Sequence, residues 1–516
     1  MRIEQRIGEG SIGTVRLVRR KKGTEGGSAY AKQRVKGRRA VNVGCGGFFG
    51  CFLPKRTPAG IEKTSGDIRF SSRHSEDYAL KSIQLRLVEK KYIEELRNEI
   101  DVLRSLDHPN IVKAYEVYET KGNIYVIMEY CSGGDLYARA PYTESESVPL
   151  ISQICSAISY MHKKGVVHRD LKIENIMFES QDPMAKIKVL DFGLSKKFIP
   201  GTRGIMRDSV GTVYTMSPQV LNGTYNAKAD CWAIGVIAFL LLCDERPFKG
   251  KNKKEVMQNI KRCNYNFKAP AWDNVSQDAK DFVSSLLIYD QEERLSAEAA
   301  RRHHWLNKPQ LTLSQTRRSS QHLLEDAKDN ILAYARASEL KKIAAVVVAH
   351  KSSTAEILDM RTAFDKYDKA KDGVISMEEF KLALAEFNYT EEELNDVFTN
   401  LDINHNGEIL YTEFIAATLE MRGKVEEKRL AEAFDFIDDD DSGFISKENL
   451  AHLLGKNVPQ SRIEALIKEV DTDGDGMISF EEFIIMFRNE NSKQLSNFAL
   501  SGARSNGASN EVDNVC

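Results

Sequence analysis

The segment His168-Arg169-Asp170-Leu171-Lys172-Ile173-Glu174-Asn175 and the later triplet Asp191-Phe192-Gly193 carry the residue types that phosphoryl transfer needs. Asp170 can accept or orient a hydroxyl proton, and Lys172 can neutralise charge on a migrating phosphoryl group. Asn175 and Asp191 can ligate magnesium. Upstream, Ile7-Gly8-Glu9-Gly10-Ser11-Ile12-Gly13-Thr14-Val15 is a glycine-rich turn. Missing side chains there let backbone N–H groups close over nucleotide phosphates. Lys81, in Tyr78-Ala79-Leu80-Lys81, would hold those phosphates and pair with Glu99 on a following helix. Lys32, in Ala29-Tyr30-Ala31-Lys32, is the competing lysine; a tyrosine stands two before it and it lies far from Glu99.

A second set of residues suits a different ion. Ca²⁺ takes oxygens from positions 1, 3, 5, 7 and 12 of a twelve-residue loop, the last a bidentate glutamate. Asp402, Asn404, Asn406, Glu408 and Glu413 satisfy this, as do Asp471, Asp473, Asp475, Met477 and Glu482, where Glu408 and Met477 contribute carbonyls. The loop from Asp438 offers Asp440, Ser442 and Phe444 but ends in Asn449, an amide that cannot bind bidentately with full charge. The loop from Asp368 offers Asp372, Val374 and Glu379 but has Ala370 at position 3. The expected ranking puts the second and fourth loops tightest, the third intermediate and the first weakest.

These groups need elements to hold them. Alternation predicts strands over 1–18, 78–83, 111–118 and 124–129, with a charged helix over 88–106. Helical periodicity begins after Gly133-Gly134 and continues past Trp305. Between the strands lies 19–77, an irregular stretch rich in Gly, Arg, Lys and Ser, read as an insertion or a docking loop. Loop glycines recur at 373, 407, 443 and 476, a fourfold helix-loop-helix repeat. One helix with apolar and basic faces is expected over 328–350, inside a connecting segment 307–360, and its character is that of a calmodulin target. Arg317-Arg318-Ser319-Ser320 places an arginine three before Ser320, the pattern of an autophosphorylation or pseudosubstrate site. The tail from 491 is Ser/Asn/Gly-rich and expected to be disordered.

Net charge is −2 for 516 residues, but it is unevenly spread. Residues 361–490 hold 31 Asp+Glu against 14 Lys+Arg, and the remainder holds 44 against 59. A basic body beside an acidic module invites contact between them. No aromatic-basic platform accompanies the positive excess, so nucleic acid is not an expected partner. The cysteines show no C-x-x-C spacing and are expected to be reduced thiols. No apolar run is long enough to span a bilayer, and no secretory leader or myristoylation glycine opens the chain. A cytoplasmic protein is expected.

The catalytic segments together resemble the eukaryotic protein kinase family. With the four loops the chain is similar to the calcium-dependent protein kinases, a plant and protist family that fuses a kinase, a junction and a calmodulin-like domain. The resemblance covers roughly 1–18 and 78–490. It implies an α+β bilobal kinase over 1–306, a junction over 307–360 and an all-α module of four EF-hands over 361–490. It implies ATP, Mg²⁺ and Ca²⁺ as cofactors, and Ser/Thr specificity from Lys172. Ala79 and the hinge Met128-Glu129-Tyr130-Cys131 would border the adenine, with Met128 at the back of its pocket. Asp135 and Glu174 match positions that receive an arginine of basic protein substrates. A monomer is expected, regulated by its own junction helix. One departure is Ser217-Pro218-Gln219, where the family has a glutamate paired with the equivalent of Arg294. Gln219 can still accept a hydrogen bond, so lost stability rather than lost chemistry is expected. A calcium-responsive scaffold with a silent kinase fold is the alternative.

Overall fold

The computed structural model describes residues 2–9, 13–19, 55–56, 77–88, 93–202, 204–307, 317–422, 425–455 and 458–488. Gly10, Ser11, Ile12, Lys32, most of 19–77 and the tail from 489 lie outside them, as do the side chains of Glu99 and of the first helical turn holding Arg317 and Ser320.

The N-terminal lobe is a sheet of β1 (Arg2–Glu9), β2 (Gly13–Arg19), β3 (Lys55–Arg56), β4 (Asp77–Gln84), β5 (Ala114–Glu119) and β6 (Asn123–Glu129) in the order β1-β2-β4-β6-β5-β3. β1, β2, β4, β6 and β5 pair antiparallel, and only β3 joins in parallel. Val15 lies opposite Lys81, and Ala79 opposite Met128, so the glycine-rich hairpin, the lysine strand and the hinge strand are consecutive neighbours. Helix Ile93–Ser105, which carries Glu99, buries Leu96, Ile100 and Leu103 in the core this sheet shares with the C-terminal lobe.

The C-terminal lobe is helical. Glu144–Lys163 starts at a capping box between Thr143 and Glu146, which satisfies otherwise orphan N–H groups. Lys228–Cys243 is apolar on all sides and is buried along nearly its whole length, as a central core helix must be. Between them, two-residue strand Val166–Val167 and hairpin strands Ile176–Phe178 and Ile187–Val189 bracket the loop that bears Asp170.

The connecting segment departs from expectation. Instead of one helix over 328–350 there are two, Arg317–Ala335 and Glu339–Lys351. Ser338 breaks the run: its backbone is extended and its hydroxyl accepts from Lys341 N–H at 3.2 Å, which starts the second helix. The second helix is also apolar beyond one face, burying Leu340, Ile343 to Val348 and Ala349 among the helices of the EF-hand module. That module closes into two pairs, through short strands Val374–Ser376 with Glu408–Leu410 and Phe444–Ile445 with Ile478–Ser479. Among the described residues no helix is long and apolar enough to cross a membrane.

Candidate functional site: a phosphoryl-transfer centre backed by calcium loops

Asp230, buried at the start of Lys228–Cys243, shapes the catalytic loop from below. Its carboxylate accepts from the backbone N–H of His168 and of Arg169 at 2.9 Å each, and meets His162 Nε2 at 2.9 Å. Burial opposes its charge, yet the His162 contact and these bonds hold the carboxyl below its ordinary range. Arg169 sits at φ 69°, a left-handed conformation that the two Asp230 bonds help to fix.

Above this frame Asp170 is surrounded by donors. Lys172 Nζ lies 2.7 Å from its Oδ2, and Thr212 Oγ donates to its Oδ1 at 2.7 Å. Lys172 also donates to Thr212 at 3.0 Å. Asn175 Nδ2 donates to the Asp170 carbonyl at 2.9 Å, which leaves the Asn175 amide oxygen as the group for a metal ion. Asp191 Oδ1 meets Lys81 Nζ at 3.2 Å; burial opposes its charge, but Lys81 keeps the carboxyl below the usual range. Phe192 is buried, its ring centroid 5.3 Å from that of His168. Lys81 and Asp191 thus form one pair and Asp170, Lys172 and Asn175 one cluster. Leu190 N–H donates to the Asn175 carbonyl at 2.8 Å and sets the two segments side by side, with oxygens of a type suited to a hard divalent ion.

The hinge divides its work. Met128 is partly buried and Cys131 buried. Glu129 turns its carboxylate away behind the strand, to Lys188 at 3.1 Å and to the Thr354 hydroxyl at 3.1 Å. Only its backbone remains for a nucleotide base. Asp135 caps a 3₁₀ turn by accepting from Ala138 N–H at 3.1 Å, and Glu174 accepts from the Tyr214 hydroxyl at 2.5 Å.

Two neighbours, Thr212 and Asp208, went unread in the sequence. Thr212 follows Gly211, whose φ of 113° and close approach to the Arg169 carbonyl admit no side chain; a Gly-Thr pair after the Asp191 loop was the available signal. Asp208 takes Arg169 Nη1 at 3.0 Å and Lys196 Nζ at 2.7 Å. Lys196 and Arg169 hold its carboxyl below the ordinary range. A fixed carboxylate therefore orders this loop where a phosphate could otherwise serve. Replacing Asp208 by Asn should cut the transfer rate a few-fold and speed proteolysis within 195–215, with normal calcium binding. Gln219 accepts from Arg294 Nη2 at 2.9 Å and donates to the Tyr289 carbonyl. Burial lowers Arg294 to about 10, so its acceptor matters. Gln219→Ala should cost about 1–3 kcal/mol, read as a lower melting temperature.

The calcium loops share one internal pattern. Asp402 accepts from the N–H of Asn406 and Gly407 at 3.1 and 2.8 Å, and Glu413 from Leu410 N–H at 2.7 Å and Asn404 Nδ2 at 2.9 Å. Asp471 and Glu482 repeat this with Gly476, Ser479 and Thr472. Carboxylate oxygens of Asp471, Asp473 and Asp475 lie within 4.8 Å of one another, as do those of Asp368, Asp372 and Glu379. In the third loop Asp438 accepts from Ser442 and Gly443, while Asn449 Nδ2 donates to Asp439 at 2.6 Å. Donor sets of this kind fit calcium. Burial, with the charges of Asp402 and Asp107, pushes Glu413 up to about 8. Ion capture by Glu413 therefore competes with its proton. Calcium binding should release protons, and apparent affinity should climb as pH rises toward 8; calorimetry in buffers of different ionisation enthalpy checks this.

The module docks on the kinase lobes outside the catalytic segments. Arg361 meets Glu179 at 2.6 Å with both side chains buried. Thr412, the residue before Glu413, donates both its N–H and its hydroxyl to Asp107 at 2.8 and 2.7 Å. Lys351 pairs with Glu116 at 2.5 Å and Lys186 with Asp365 at 2.6 Å. Val374 and Leu410, from the strands between the first two loops, pack into the kinase core.

Comparison with known proteins agrees with this architecture. The protein kinase domain family model matches residues 68–306, and the EF-hand domain pair model matches 358–419 and 427–488. Calcium-dependent protein kinase 5 of Plasmodium falciparum (isolate 3D7) is 34% identical over 418 residues, 78% of this chain and 72% of that protein. Calcium-dependent protein kinase 20 of Oryza sativa subsp. japonica is 35% identical over 427 residues, 80% of this chain and 75% of that protein. Calcium-dependent protein kinase 32 of Arabidopsis thaliana is 34% identical over 409 residues, 77% of this chain and 74% of that protein. A protein kinase domain joined to paired EF-hands, together with these relatives, places this chain in the calcium-dependent protein kinase family of serine/threonine kinases.

Proposed function

We propose that this kinase transfers the γ-phosphoryl group of ATP to Ser or Thr of proteins carrying basic residues before the acceptor, and that calcium capture by its own EF-hands switches it on. In this reading Asp170 accepts the substrate hydroxyl proton and Lys172 offsets charge on the transferring group. Lys81 steadies the nucleotide phosphates with Glu99 as its helix partner, and the turn 7–15 covers them. Asn175 and Asp191 would hold Mg²⁺, which draws electron density from the phosphate oxygens when bound. Asp135 and Glu174 would receive a substrate arginine. The protein would act as a cytoplasmic monomer.

The observation that carries the regulatory half is the seating of the first two calcium loops against the kinase lobes, with Thr412 on Asp107 one residue from Glu413. An ion that draws in Glu413 moves the residue next to the docking residue Thr412. The junction helix Glu339–Lys351, buried among the EF-hand helices and tied by Lys351 to Glu116, offers the second link. In this reading calcium capture at the second loop favours the docked arrangement, a shift of population rather than a new contact among the catalytic segments.

Arg361→Ala tests it. Breaking a buried pair strands Glu179 and costs about 3–5 kcal/mol. Calcium-stimulated transfer should fall toward the chelator rate while calcium binding to the fourth loop is retained. Full stimulation in this variant would remove docking from the switch.

A further inference from the structure

The first calcium loop meets the kinase with one of its own ligands. Asp372, at loop position 5, is only 9% exposed. Its Oδ2 lies 3.0 Å from Lys163 Nζ and 3.6 Å from Arg301 Nη2. Lys163 ends helix Glu144–Lys163 and Arg301 ends helix Ala297–Arg301, so both cations belong to the kinase lobe. The next residue, Gly373, is pressed onto the same surface: at φ 82°, a Cβ there would stand 2.1 Å from the His108 ring.

The complete loops behave differently. Asn406 Oδ1 accepts from Glu408 N–H, and Asp475 Oδ1 from Met477 N–H, each at 2.8 Å. Their position-5 side chains stay within their own loops. Asp372 Oδ1 has no hydrogen-bond partner among the described residues, and Oδ2 is held by the kinase. Ala370 supplies no side-chain oxygen at position 3, so an ion in this loop could not spare Asp372. It would also share that carboxylate with two positive charges, Lys163 and an Arg301 that is itself held by Glu298 at 2.9 Å, which lowers the net negative charge on which calcium affinity depends.

We propose that docking and divalent-ion capture compete for Asp372: the first loop is a foot on which Lys163 and Arg301 stand in for the ion. Linkage makes the coupling reciprocal, so whatever strengthens docking weakens ion capture at this loop, and the reverse. The proposal rests on the reading of the module as a docked calcium sensor and adds that one of its four loops opposes the others.

The test is calcium titration of the full chain by chelator competition, alongside hydrogen exchange of 105–110. The Lys163 side chain is 42% exposed, so Lys163→Gln should fold. It should tighten one weak site about five-fold or more, the lower end of ordinary coupling, and leave the tight sites unchanged. Adding Glu379→Gln should abolish the tightened site, which assigns it to the first loop. Asp372→Asn should speed exchange across 105–110, and Lys163→Gln should add nothing to that. Unchanged affinities in Lys163→Gln, or a weakened site, overturn the proposal. None of these readouts involves phosphate transfer, so they can fail while calcium activation stands.

Discussion

Asp170→Asn is expected to lower phosphate transfer about 10²- to 10⁴-fold, the range for a lost proton acceptor. The substitution is close to isosteric, and the frame beneath it depends on Asp230 rather than on Asp170. Lys172 and Thr212 now hold separate carboxylate oxygens at 2.7 Å each; the amide oxygen can still accept from Lys172, and the amide NH₂ can donate to the Thr212 hydroxyl once that group rotates. The amide cannot take a proton from a substrate hydroxyl. Single-turnover transfer to a peptide, with nucleotide affinity measured separately, checks the expectation. The rate should collapse with nucleotide binding within a few-fold of the parent. A parent protein as slow as the variant would instead point to a silent kinase fold.

The second large effect is at the calcium loops. Replacing both Glu413 and Glu482 by Gln removes the bidentate ligand from the two complete sites while keeping side-chain volume. Each glutamate accepts backbone N–H groups on both oxygens. The amide oxygen can keep the bond from Leu410 or Ser479 at the helix start but not also that from Ile403 or Thr472, so hydrogen exchange of the two loops is measured beside transfer. A switch from mostly off to mostly on requires about 5 kcal/mol of differential binding. The first and third loops lack either a ligand or a full terminal charge and cannot supply that alone. Half-maximal calcium for transfer should move at least tenfold higher, or stimulation should vanish, with the chelator rate unchanged. Titration of transfer against free calcium reads this directly.

Much of this arrangement was legible in the letters because its parts are local. Asp170, Lys172 and Asn175 lie in one short segment, and the position of Lys81 on a strand beside the glycine-rich hairpin followed from order along the chain. Each calcium loop is a twelve-residue unit, so its ligands could be named without a partner. The charge imbalance also pointed the right way: Lys163 and Lys186 of the basic body do meet Asp372 and Asp365 of the acidic module. What escaped was non-local. Arg361–Glu179 runs against the bulk charge difference, Lys351–Glu116 lies wholly within the basic remainder, and both join residues far apart in sequence. Thr412–Asp107 and Glu129–Thr354 carry no periodicity or motif. The junction was misjudged because a segment apolar on several faces shows no stripe to mark its ends, and Ser338 reads as an ordinary polar residue until its hydroxyl is seen capping the second helix.

The account stands on calcium occupancy of the module governing what happens at Asp170. The most direct measurement is phosphate transfer by the unaltered chain to a serine peptide with an arginine three residues before the acceptor, in saturating free calcium and in excess chelator, with magnesium and ATP held constant. The account predicts a rate at least tenfold higher in calcium. Equal rates in the two conditions, with transfer plainly above the Asp170→Asn level, would contradict it and leave the EF-hands a passive buffer.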